Sequence, residues 1–223
     1  IEDDLHWLGL TWDGPIWSQH ARAQKYETQL QTLWQMGLLY NCSCTRADIK
    51  AAAHAPQEGA AILGPDGVIY PGTCRGKANG RMQVHSALRL NMKKSLQAVE
   101  LDEVSFTDGG VKYIKSAHDM VTMIGDVVLS RKEMAASYHL SIVVDDAEQG
   151  ISHVVRGEDL REATFIHVLL QRLLGFETPH YHHHRLIRDE EGRRLAKRDD
   201  ARAISKYRAD GHTPETIRKL VGL

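Results

Sequence analysis

Leu140-Ser141-Ile142-Val143-Val144, the acidic pair Asp145-Asp146, a turn at Gly150 and then Ile151-Ser152-His153-Val154-Val155 running into Arg156-Gly157-Glu158-Asp159 make up the stretch that decides the fold. Each apolar run is short and β-branched, and a polar turn separates them, so the pattern predicts two strands. The next segment, Glu162 to Leu174, has helical spacing, with Phe165, Val168, Leu169 and Leu173 on one side and Gly175 as its stop. Strands that alternate with helices predict an α/β domain with a mainly parallel sheet.

Upstream, Ala21 to Met36 reads as an amphipathic helix whose stripe is Tyr26, Leu30, Leu33 and Trp34, with Gly37 ending it. Asn41 to about Gly80 differs in kind. It holds all three cysteines and glycines at 59, 64, 67, 72, 76 and 80, which predicts a loop-rich insertion. Strand-like pieces follow at Ala87–Leu90 and Val127–Leu129. Near the end, Thr213-Pro214 predicts the N-cap and first position of a short helix.

The 223 residues are 42% hydrophobic and 26% charged, as in ordinary globular domains, and are long enough to bury a core. A net charge of −1 gives no global field for nucleic acid, so any nucleic-acid partner would need a local basic patch. No apolar run is long enough to span a bilayer, and Ile1-Glu2-Asp3-Asp4-Leu5 does not read as a signal peptide. Three cysteines do not make a disulfide framework, and the expected compartment is the cytoplasm.

Two features carry chemistry. Arg156 closes a predicted strand, at the carboxyl edge where open α/β sheets bind ligands, and its fork suits a carboxylate. An internal ion pair with Glu158, Asp159 or Asp145 is the competing reading. Tyr138, predicted to open the paired strand region, could set a phenol beside the same pocket. The second feature is Arg193-Arg194-Leu195-Ala196-Lys197-Arg198, a basic loop suited to a polyphosphate, with a solvated basic turn as the competing reading, reached through Tyr181 to Arg188 and a turn at Asp189 to Gly192.

Taken in order, Trp7-Leu8-Gly9-Leu10-Thr11-Trp12, Tyr40-Asn41-Cys42-Ser43-Cys44, Asp126 to Arg131, Tyr138-His139, Val143-Val144-Asp145-Asp146, Val154 to Leu160 and the basic loop resemble the glutamyl-tRNA synthetase family of class I aminoacyl-tRNA synthetases. Arg194-Leu195-Ala196-Lys197-Arg198 stands where that family has its KMSKS loop. The resemblance implies a Rossmann-like catalytic domain with a zinc-bearing insertion. The expected division is residues 1–40 as the rest of the first catalytic half, 41–125 as the insertion, 126–188 as the second half, and 189–223 as the loop and a helical tail. With no long helical region after the loop, the chain is most similar to the truncated paralogues, the glutamyl-queuosine tRNA(Asp) synthetases.

That resemblance implies activation of L-glutamate by ATP with Mg²⁺, followed by transfer to the queuosine base of tRNA(Asp). It assigns Lys197, with Arg194 and Arg198, to ATP, with Lys197 catalytic, and Tyr138 and Arg156 to L-glutamate. It assigns Cys42, Cys44, Tyr70 and Cys74 to a structural Zn²⁺, against three buried unliganded cysteines, with His54 and His85 as fallback ligands. The family's first signature and its HIGH-like motif are not found, so the chain is expected to omit an N-terminal portion and to be inactive without it. Ile1 to Leu5 reads as the end of a helix. A monomer is expected. The alternatives are a fragment of a conventional synthetase for tRNA(Glu), an inactive tRNA-binding relic, or a zinc-dependent hydrolase built on the His and Cys clusters, with metal at His182 and His184, which would share one strand face.

Overall fold

The computed structural model describes residues 1–53, 63–77, 80–83, 86–188, 192 and 203–223. The described residues form two compact units, Ser18–His184 and a second built from Ile1–Trp17 with Arg185–Leu223. The smaller unit holds α1 (Glu2–Trp7), α8 (Ile204–Ala209) and α9 (Pro214–Val221), so the start of the chain is helical as expected. Thr213 caps α9 by accepting from the Thr216 amide at 3.3 Å, with Pro214 at the first helical position. Arg218 donates to the Leu8 carbonyl at 2.7 Å and ties the two chain segments of this unit together.

In the larger unit, α2 (Ala23–Gln35) buries Tyr26, Leu30 and Leu33 at helical spacing and ends where Gly37 turns left-handed. Three strands, β1 (Leu39–Cys42), β4 (Ala87–Leu90) and β7 (Val128–Ser130), form an antiparallel sheet in the order β1-β4-β7. Between β1 and β4 lie α3 (Arg46–Ala53) and a small hairpin of β2 (Leu63–Gly64) and β3 (Gly67–Val68). The helix α4 (Met92–Ala98) follows β4 and is capped by Asn91, which accepts from the Lys94 amide.

The second sheet has the order β6-β5-β9-β8. β8 (His153–Gly157) and β9 (His180–His184) are parallel, joined by α7 (Arg161–Leu174), and this is the expected strand–helix–strand unit. α7 buries Phe165, Ile166, Val168, Leu169 and Leu170, each contributing about 1.5–3 kcal/mol of apolar burial. The expected parallel sheet is extended by a hairpin that the sequence reading did not pick out. β5 (Glu103–Asp108) pairs parallel with β9 and antiparallel with β6 (Val111–Ser116). Gly109 and Gly110, both at positive φ, make its two-residue turn. A short α5 (Ala117–Asp119) runs into a π-helical turn at Met120–Ile124 before β7.

One expectation is overturned. Leu140 to Val144 is not a strand but the middle of α6 (Tyr138–Glu148), and Tyr138 opens that helix rather than a strand. The apolar run is short enough for either conformation, and tertiary packing decides. Leu140, Val143 and Val144 all join the central core with Leu33 of α2 and Leu169 of α7. Arg22 clamps α2 to α6 through Asp145 at 2.7 Å and Glu148 at 2.6 Å, and the Tyr26 hydroxyl donates to Asp145 at 2.8 Å. Asp145 is therefore held by α2.

Candidate active site and metal centre

The insertion brings its sulfurs together. Cys42 ends β1, Cys44 lies two residues on, and Tyr70 and Cys74 follow β3. The three Sγ atoms lie within 4.8 Å of one another, with Cys44 and Cys74 at 3.5 Å. The Tyr70 hydroxyl is 3.4 Å from both Cys42 and Cys44, and it accepts from the Cys74 amide at 2.8 Å. Ligands at about 2.0–2.3 Å from a tetrahedral zinc stand about 3.5–3.8 Å apart, so this donor set fits the ion. Among the described residues it is the one His, Cys, Asp or Glu group that could hold a metal.

A cation guards the cluster. Buried Arg89 donates to Cys42 Sγ at 3.3 Å, and its guanidinium lies 3.8 Å over the Tyr70 ring. Burial works against ionisation of Cys74, but hydrogen bonds from Tyr70, Ser43 and Cys44 outweigh it and pull the thiol down to about 6. Burial and the surrounding thiols push the Tyr70 phenol far above its ordinary range. Asp126, at 3% exposure, anchors the segment to the antiparallel sheet. It accepts from Tyr40, from Arg75 at 2.7 Å and from the Met92 amide at 2.9 Å.

The second site surrounds Arg156 on β8. Its guanidinium donates to His183 Nε2 at 3.2 Å, to His167 Nδ1 at 3.1 Å and to the Thr164 hydroxyl at 2.6 Å. The Tyr138 ring lies 5.8 Å from the ring of His167, so Tyr138 and Arg156 converge on one buried imidazole. His183 in turn meets Asp108 through Nδ1 at 2.9 Å, and Asp108 also accepts from the His183 amide and from Arg161. On the other side, His167 Nε2 is 3.0 Å from His139 Nδ1, and His139 Nε2 is 2.8 Å from Asp66.

Charge is shifted throughout this network. Burial, reinforced by the positive charge of Arg156, holds His167 well below the ordinary imidazole range. Burial also lowers His183, against the pull of Asp108. Asp146 is pushed up to about 6 by burial, which Arg156 opposes and Asp145 assists. A cavity of about 250 Å³ opens beside the network, lined by Asp66, Arg131, Tyr138, His139 and Asp159 among others.

Sequence reasoning singled out Tyr138 and Arg156 but not His167, Thr164, Asp66 or Asp108, which hold them. In the triplet His182-His183-His184 the outer two share the exposed face of β9 and His183 is buried. The available signal was the alternation, which sends position 183 inward with Tyr181. No described metal group includes His182 or His184. Lys197, Arg194 and Arg198, and the fallback ligands His54 and His85, lie outside the described residues.

Comparison with known proteins agrees with this architecture. The family described as tRNA synthetases class I (E and Q), catalytic domain, matches residues 1–223. The chain is 55% identical to a glutamyl-Q tRNA(Asp) synthetase of Rhodobacter capsulatus, over 99% of this chain and 80% of that one. It is 40% identical to the protein of that name from Geobacter sulfurreducens, over 92% of this chain and 60% of that one. Among solved structures, the glutamate-tRNA synthetase of Elizabethkingia anophelis shares the fold, with a TM-score of 0.70 at 21% identity, covering 99% of this chain and 50% of that one. The chain thus spans only part of the length of the proteins it matches. The chain belongs to the class I tRNA synthetase (E and Q) catalytic-domain family and, within it, to the glutamyl-Q tRNA(Asp) synthetases.

Proposed function

We propose that the protein activates L-glutamate with ATP and transfers it to the queuosine base in the anticodon of tRNA(Asp). The observation that carries the reading is the convergence of Tyr138 and Arg156 on His167 beside a cavity. Among the described residues, Arg156 uses three of the five N–H donors of a guanidinium, which leaves two for a ligand carboxylate. Tyr138, at 42% exposure, is free to meet the rest of the amino acid. The names of the relatives favour queuosine-bearing tRNA(Asp) over tRNA(Glu) as acceptor.

Activation is in-line attack of the glutamate α-carboxylate oxygen on the α-phosphorus of ATP, with pyrophosphate leaving. Little proton transfer is needed, so the protein's part is positioning and charge stabilisation. Arg156 and Tyr138 hold the glutamate, and Lys197, with Arg194 and Arg198, grips the phosphates. Mg²⁺ accompanies ATP and neutralises phosphate charge, and Zn²⁺ held by Cys42, Cys44, Tyr70 and Cys74 fixes the insertion. The working division is catalytic halves at 1–40 and 126–188, the insertion at 41–125 and the loop with its tail at 189–223. The setting is the cytoplasm, with the protein acting as a monomer. Among the described residues, no helix is long and apolar enough to cross a membrane.

The test is glutamate-dependent exchange of pyrophosphate into ATP by the full-length protein. Lys197→Ala should lower that exchange about 10²–10³-fold, as loss of a donor to transition-state charge does, while glutamate affinity by calorimetry stays within about two-fold. Equal losses in rate and affinity would remove Lys197 from the chemistry.

A further inference from the structure

Arg156 can only donate, and this fixes every proton around it. Its Nη1 faces His167 Nδ1, so that nitrogen must accept and the ring proton of neutral His167 sits on Nε2. His167 Nε2–H then points at His139 Nδ1, which must also accept, so the proton of His139 sits on Nε2 and is donated to Asp66. On the other flank, Arg156 Nε donates to His183 Nε2, and His183 donates through Nδ1 to Asp108. The guanidinium therefore hangs between two carboxylates by one-way chains of hydrogen bonds.

We propose that Asp66, His139 and His167 are positioning residues for glutamate: their chain aims the Arg156 guanidinium, and proton uptake by either ring breaks it. The proposal rests on the reading of Arg156 as the carboxylate anchor. A second proton on His139 sits on Nδ1 and faces the His167 Nε2–H across the 3.0 Å contact, whereas a second proton on His167 sits on Nδ1 and faces the Arg156 Nη1–H at 3.1 Å; in either case two donors meet and the ring must turn away. The groups that face these rings come from every packed element. His139 meets Asp66 from the β2–β3 turn and His167 from α7, with the Tyr138 ring beside it on α6. His167 meets Arg156 of β8 and feels His183 of β9. Asp66 stays ionised because His139, Arg131 and Arg89 offset its burial.

Asp66 is well seated for this task. It lies at the tip of the β2–β3 hairpin, and that hairpin rests closely on the π-helical turn. A side chain at Gly64 would come within 2.8 Å of the Met123 carbonyl, and one at Gly125 within 2.8 Å of the Ile69 side chain. The insertion thereby reaches across to the amino-acid site through one carboxylate.

The test is calorimetric titration of glutamate into the full-length protein between about pH 5.5 and about pH 7.5, where imidazoles titrate. The parent should bind more weakly as pH falls. Asp66→Ala, at a side chain 47% exposed, should weaken glutamate about three- to ten-fold at the upper pH and flatten the profile. Its ATP affinity and melting temperature should stay at the parent values. His139→Gln, which keeps a donor and an acceptor but cannot take up a proton, should restore affinity at low pH. Nitrogen-15 spectra of the imidazoles should show His139 and His167 neutral and protonated on Nε2. An Asp66→Ala protein with the parent's affinity and pH profile, or a His139 ring protonated on Nδ1 at the upper pH, would overturn the proposal. Arg156→Ala is the reference. If it too binds glutamate normally, the anchor reading falls and takes the chain with it, whereas a silent Asp66→Ala beside a crippled Arg156→Ala rejects the chain alone.

Discussion

Around Arg156, donors and acceptors alternate: guanidinium, imidazole, imidazole, carboxylate on one flank, and guanidinium, imidazole, carboxylate on the other. Around Tyr70 they do not. Three thiols and a phenol crowd within hydrogen-bonding distance, and the cationic neighbour is Arg89. The first assembly pairs all but two of the Arg156 donors among the described residues and is preorganised to hold its Arg still. The second gathers soft, ionisable ligand atoms whose natural complement is a divalent cation. The difference teaches how to tell a buried polar site built to orient a substrate from one built to be completed by an ion.

The comparison can be broken most forcefully at the cluster. Structural zinc contributes on the order of 10 kcal/mol to small folded domains, so chelation or Cys74→Ala should give the largest effect. The expected outcome is loss of a bound zinc by atomic emission and a lower, broadened melting transition. Retention of the parent melting curve without metal would show that the cluster is self-sufficient after all. At the other site, Arg156→Ala should raise the dissociation constant for glutamate about 10–100-fold, the value of one to two hydrogen bonds to a charged group, with zinc content unchanged. A loss of zinc in that variant would mean that the two regions are not separable.

A smaller effect concerns acid. His167 and His183 are both held below the ordinary imidazole value of 6.5 by burial. The unfolded chain therefore binds more protons than the folded one below that value, and stability falls as pH drops through it. Urea midpoints of the zinc-loaded protein should decline from about pH 7 to about pH 5, and His167→Gln should reduce the slope. A midpoint that rises on acidification would reverse the sign and contradict the assigned protonation.

Much of the frame was legible because periodicity and stop signals agree. α2 with Gly37, α7 with Gly175, and α9 behind Thr213-Pro214 could each be read from local chemistry. Helix α6 could not, because Leu140 to Val144 suits a buried helix as well as a strand, and its partners Leu33 and Leu169 are distant in sequence. The β5–β6 hairpin was missed although Gly109-Gly110 marks its turn, since Val111 to Ser116 alternates with mostly exposed residues. At the site, family order pointed to Tyr138 and Arg156. The supporting shell comes from five separate elements, and no local spacing announces that His139, His167 and His183 will meet. Lys197 and its loop lie outside the described residues, so their part rests on the family resemblance.

The central claim is the acceptor, and transfer of labelled glutamate tests it most directly. With ATP and Mg²⁺, the full-length protein should label tRNA(Asp) that carries queuosine and leave queuosine-free tRNA(Asp) and tRNA(Glu) unlabelled. Label on tRNA(Glu) in place of queuosine-bearing tRNA(Asp) would contradict the account.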